Sequence, residues 1–129
     1  MSRSHLAALA FAATCLAAPA ALAQPPSSGD TCFRASDWLD WKSPAPDVIL
    51  IRVSVDKVYQ LDLKEGSNQL KYPDMRLINR HEQSQFVCRP GDFDLLLSDG
   101  HGFTEPLFVK SVTQLTPDEV AAFPRKFQP

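Results

Sequence analysis

Residues 48–63 constrain most tightly what this chain can become. Ile51, Val53 and Val55 alternate with Arg52 and Ser54, and Tyr59, Leu61 and Leu63 alternate with Gln60 and Asp62. A period of two sends one set to a dry face and the other to water, and the β-branched content agrees with a strand. Asp56-Lys57 between the runs offers a two-residue turn, though without the glycine such turns prefer. The pair reads as a β-hairpin.

Shorter runs of the same kind follow. Strands are predicted at 75–79 and 85–88, at 92–98 (Phe93, Leu95 and Leu97 against Asp94) and at 107–112, with polar breaks at 64–68, 80–84 and 99–102. Pro90-Gly91 suits the central positions of a type II turn, where glycine takes a positive φ. Pro106 confines its strand to an edge or a first position. Upstream, residues 43–47 (Ser-Pro-Ala-Pro-Asp) cannot continue a helix. Trp38 and Trp41 stand three apart, so one helical turn would bring both rings to one face. They then either cap the end of a β-core or form an aromatic platform.

The clearest helix start is Thr116-Pro117-Asp118-Glu119. Thr116 can cap, Pro117 fits the first helical position, and Glu119 completes a capping box. The helix runs through Phe123, stops at Pro124, and is expected to lay Val120 and Phe123 over an open end of the sheet. The predicted fold is mainly β. It is a small β-sandwich or partly open β-barrel of about six or seven short strands with one short C-terminal helix.

The two ends read differently from this body. Arg3 followed by an apolar, alanine-rich run, then Pro19 and Ala21-Leu22-Ala23, has the layout of a signal peptide over residues 1–23, with cleavage between Ala23 and Gln24. An uncleaved anchor is the competing reading, opposed by weakly apolar alanine and by Pro19. Acylation of Cys15 is opposed by its place inside the apolar run. Residues 24–30 form a flexible lead-in, 31–123 the single β-rich domain, and 124–129 a tail.

Cleavage would reduce three cysteines to two, Cys32 and Cys88. An even, minimal set in an oxidising compartment reads as one disulfide, since C-x-x-C spacing and a neighbouring histidine are both missing. Closing a loop of roughly 57 residues is worth about 4 kcal/mol in the chain-entropy account. Losing Arg3 leaves 12 basic residues against 15 acidic ones, near −3. That balance, without basic blocks, argues against nucleic acid and against anionic membrane surfaces. No later segment is long and apolar enough to insert stably in a membrane once the signal is gone.

Cys32-Phe33-Arg34, Tyr59-x-Leu61-x-Leu63, Val87-Cys88-x-x-Gly91-Asp92 and the strand leading into Thr116-Pro117-Asp118-Glu119 resemble a family of small exported proteobacterial proteins, a domain of unknown function. The resemblance spans about residues 31–123. It implies a signal peptide, a β-rich disulfide-containing domain and no assigned activity. Family members often carry two further cysteines, one just after the tyrosine strand and one at the start of the last strand. The matching stretches here, residues 65–69 and Pro106-Leu107, have none. Losing both together is what loss of a second disulfide would look like, and it supports pairing of Cys32 with Cys88.

Little in the chain points to catalysis. His81-Glu82 lacks the second histidine of a metalloprotease helix. Ser98, Asp99 and His101 offer nucleophile, acid and base, but neighbours in sequence rarely converge on one atom, and no G-x-S-x-G elbow surrounds the serine. His81 with His101 could hold a metal only if the fold joined them. Asp92, Asp94 and Asp99 lack the spacing of a calcium loop, and no glycine-rich phosphate cradle is present. No catalytic residue, metal or cofactor is therefore assigned. The sequence favours a periplasmic or secreted, non-catalytic binding or structural module. Its expected surface for an unknown ligand or protein partner is Trp38, Trp41 and Tyr59. The alternative is a small hydrolase or metal-binding protein using His81 or His101.

Overall fold

The computed structural model describes residues 32–80 and 86–129. The expected signal peptide, its Ala23–Gln24 cleavage site, the lead-in and His81 lie outside the described residues. Within them the chain is mainly β. The strands are β1 (Phe33–Arg34), β2 (Trp38–Ala45), β3 (Val48–Val53), β4 (Lys57–Leu63), β5 (Arg76–Asn79), β6 (Phe86–Val87), β7 (Leu95–Ser98), β8 (Thr104–Leu107) and β9 (Val109–Leu115), followed by a helix, α1 (Pro117–Ala122). They form three antiparallel sheets, ordered β2-β3-β4-β9, β5-β7-β8 and β1-β6, and no barrel closes.

One core joins all three sheets. Ile49, Ile51, Val53, Tyr59, Leu61 and Leu63 come from the central hairpin, Leu95, Leu97 and Leu107 from the second sheet, and Phe33 and Val87 from the third. Tyr59 is fully buried, its ring 4.9 Å from that of Phe33. Val48 pairs with Asp62 and Val53 with Lys57, so the expected hairpin forms, but not in the register that a turn at Asp56-Lys57 would set, which places Val55 opposite Val58. Its turn differs. Residues 54–56 form the loop, Ser54 takes φ 59°, and Val55 stands in solvent instead of continuing the buried face.

The tryptophans share a face for a reason other than a helical turn. They lie on β2, where Trp38 pairs with Val53 and Trp41 with Ile51. Residues three apart on a regular strand point to opposite faces. A register shift between Trp38 and Asp40 resets the alternation and turns Leu39 outward. The 43–47 stretch holds no helix, as expected: Pro44 and Ala45 end β2, an edge strand where proline is tolerated, and Pro46-Asp47 form the turn to β3.

Pro90-Gly91 is not a type II turn. It belongs to a 3-10 turn over Pro90–Asp92, and Gly91 is absent from the positive-φ residues. The Asp92 carboxylate accepts the N–H groups of Cys88 and Arg89, each at 3.0 Å, which holds the chain in the tighter turn. The expected strand at 107–112 is split at Phe108: β8 completes the second sheet as its edge, carrying Pro106, and β9 crosses to the first.

Helix α1 has the expected start. Glu119 N–H donates to Thr116 Oγ1 at 3.3 Å and Thr116 N–H donates to Glu119 Oε2 at 2.7 Å. The first sheet buries a second face, on which Leu50 and Val58 are almost fully covered although they stand apart from the main core. The segment after α1 folds back towards this face. Its 3-10 turn, Arg125–Phe127, packs on β2, and Arg52 Nε donates to the carbonyl of Pro129 at 2.6 Å.

Cys32 and Cys88 form a disulfide with Cα atoms 4.2 Å apart, beside the β1-β6 pairing. Hydrogen bonds tie the chain close to the two stretches that match the additional cysteines of the resembled family, without joining those stretches to each other. Buried Ser67 donates from Oγ to Glu105 Oε2 at 2.7 Å, and Lys64 N–H donates to Phe108 O at 2.8 Å.

Candidate binding groove

A groove of about 790 Å³ runs beside β2. Residues 40–46 of the strand and the turn after it line it together with residues from 67–75 and with Lys126 and Phe127. Each element has a local cause. Ser67 begins the 3-10 turn Asn68–Lys71 by accepting the Gln69 N–H on its hydroxyl, and buried Leu70 pins that turn to the core. The Ser67 N–H donates to Pro46 O, which joins this segment to the β2–β3 turn. The Arg125–Phe127 turn brings in the C-terminal side.

The floor is a protected sheet edge. Pro44 has no N–H, Trp41 N–H is taken by the Asp40 carboxylate at 2.8 Å, and Ser43 Oγ donates to Ala45 O at 2.7 Å. An incoming strand would find few open main-chain groups there. What the groove does offer is ring faces and ammonium groups. Lys71 sits over the Tyr72 ring, 5.1 Å from its centre, and Lys126 over the Phe127 ring at 4.8 Å. Lys42 lies 3.5 Å from Asp40.

Of the three aromatic residues expected at a binding surface, only Trp41 lines this groove. Trp38 is half-buried on the same strand face, and both rings pack on the core. Tyr59 is withdrawn from any surface: its hydrophobic-face position, read as an exposed candidate, places it at the centre of the core against Phe33. The expectations missed Tyr72 and Phe127. A signal existed in the repeated Lys-aromatic step of Lys71-Tyr72 and Lys126-Phe127, each outside an alternating run.

The candidate catalytic cluster has another use. Asp99 Oδ1 accepts the backbone N–H of His101 at 2.7 Å and of Phe103 at 3.0 Å, and Ser98 Oγ accepts that of Gly100 at 3.1 Å. Gly100 and Gly102 take the positive φ values, 74° and 127°, that this turn needs. The carboxylate thus holds backbone, while His101 is exposed. The His101 N–H bond, chiefly, keeps the Asp99 carboxyl below its ordinary value. Asp92 caps its turn and Asp94 pairs with Arg80 at 2.6 Å, so these acids do not converge. Among the described residues no three His, Cys, Asp or Glu side chains are grouped to hold a metal ion. Nor, among them, is any helix long and apolar enough to cross a membrane.

No protein-family model matches this chain, and neither a curated protein nor a solved structure matches it.

Proposed function

We propose that this protein is an exported, non-catalytic binding module, acting in the periplasm or outside the cell, whose ligand or protein partner occupies the groove beside β2. The observation that carries the reading is the groove itself. Trp41, Tyr72 and Phe127 line one concave surface on a disulfide-bonded β scaffold. Concave sites lined by apolar and aromatic groups with a few polar ones are the usual form of a ligand site. Export is supported by the disulfide and by the signal-peptide layout of residues 1–23. Membership of the resembled exported family forms part of the same proposal.

Amide NMR titration with aromatic acids, neutral aromatics and short peptides tests the binding reading. Saturable shifts should cluster in residues 40–46 and 67–75 and vanish in Tyr72→Ala. Shifts confined to other surfaces, or none at all, would reject the groove. Export has its own measurement: the intact mass of protein recovered from periplasm and medium should correspond to a chain starting at Gln24.

A further inference from the structure

The groove carries a charge opposite to that of the chain around it. The whole sequence has a formal charge of −2, yet three lysines, Lys42, Lys71 and Lys126, line the groove against one carboxylate, Asp40. Lys42 and Asp40 pair with each other. That leaves Lys71 and Lys126, contributed by two segments far apart in sequence, and among the described residues neither is in an ion pair. Each ammonium lies over an aromatic ring of the same groove. A cation held beside apolar surface is less completely hydrated than one in open water, so an incoming anion displaces less water to reach it.

From this juxtaposition we propose that the groove selects amphipathic organic anions, whose flat apolar body covers Trp41, Tyr72 and Phe127 while a carboxylate, sulfonate or phosphate sits between Lys71 and Lys126. The inference rests on the binding reading above and adds the ligand's charge and shape. An extended peptide strand is the poorer occupant, because the β2 edge has Pro44 and an internally bonded Trp41 N–H.

Two probes with the same ring system separate charge from shape. The disulfide-bonded protein is titrated with 8-anilinonaphthalene-1-sulfonate, an anion, and with N-phenyl-1-naphthylamine, which is neutral. The sulfonate should bind tightly and saturably, and added salt should weaken it. In the double variant Lys71→Gln/Lys126→Gln its affinity should fall about five- to tenfold, with the thermal melt unchanged. The neutral probe should bind more weakly and be indifferent to the lysine changes. Equal affinity for both probes, or a sulfonate affinity untouched in the double variant, overturns the anion preference while leaving the groove as a binding site. If neither probe shifts the groove amides, the preference and the binding reading fall together.

Discussion

At the scale of single residues, the tightest constraint is Gly66. A Cβ there would stand 3.0 Å from Pro46 O, 3.1 Å from Pro46 C and 3.3 Å from Asp47 N. These backbone atoms are not free to retreat, since Ser67 N–H donates to Pro46 O and Leu63 N–H to Asp47 O. Gly66→Ala should therefore destabilise by about 1–3 kcal/mol, read as a lower urea midpoint at unchanged m-value. Asp99 makes a second residue-scale prediction. Its carboxyl lies below the ordinary 3.8 chiefly because it accepts the His101 N–H. The charged form is thus the one the fold favours, and the contribution is fully present above the usual carboxylate range and lost as pH falls through the depressed folded value. A carbon-detected NMR titration should give a midpoint below 3.8, and Asp99→Ala should speed amide exchange at His101 and Phe103.

Elements show where sequence patterning sufficed and where packing decided. The β3-β4 hairpin and the capping box of α1 follow from local rules, and both form, although the hairpin's register is set by a loop at 54–56 and not by a turn at Asp56-Lys57. The bulge at Leu39 was not legible, because it is defined by pairing with β3 and not by anything β2 carries alone. Phe108 was missed for a related reason: an apolar run stays apolar when the chain changes sheets within it. The groove was half legible. Trp41 stood out by type, whereas Tyr72 and Phe127 gain their meaning from segments that meet only in three dimensions. The covering of Leu50 belongs here too. Alternation assigned residue 50 no role, yet it is fully buried on the face to which Arg52 anchors Pro129. Removing residues 124–129 should expose that face and cost about 1.5–3 kcal/mol, the value of burying one leucine. A chain without the tail that melts at the same temperature would show that Leu50 is covered by other residues.

For the molecule as a whole, the question is what holds the smallest sheet against the rest. β1 and β6 contribute two residues each, a pairing too short to be stable by itself. Yet Phe33 and Val87 are buried in the common core, Phe33 against Tyr59 and 6.1 Å from Phe93. The Cys32–Cys88 bond spans 56 positions and fixes this pair in place before any packing is gained. In the unfolded chain the same bond removes the entropy of a long loop, worth about 4 kcal/mol, a large part of the 5–15 kcal/mol typical of a domain. Cys32→Ser/Cys88→Ser, or full reduction, should lower the melting temperature by roughly 15–30 °C for a domain of this size. The loss should be seen first in exchange at Phe33 and Val87 and only then in the β3-β4 hairpin, whose pairing does not depend on the bond. Equal melting of the oxidised and reduced proteins would mean that the apolar contacts of Phe33 alone suffice. The bond would then matter only as a mark of the compartment in which the chain folds.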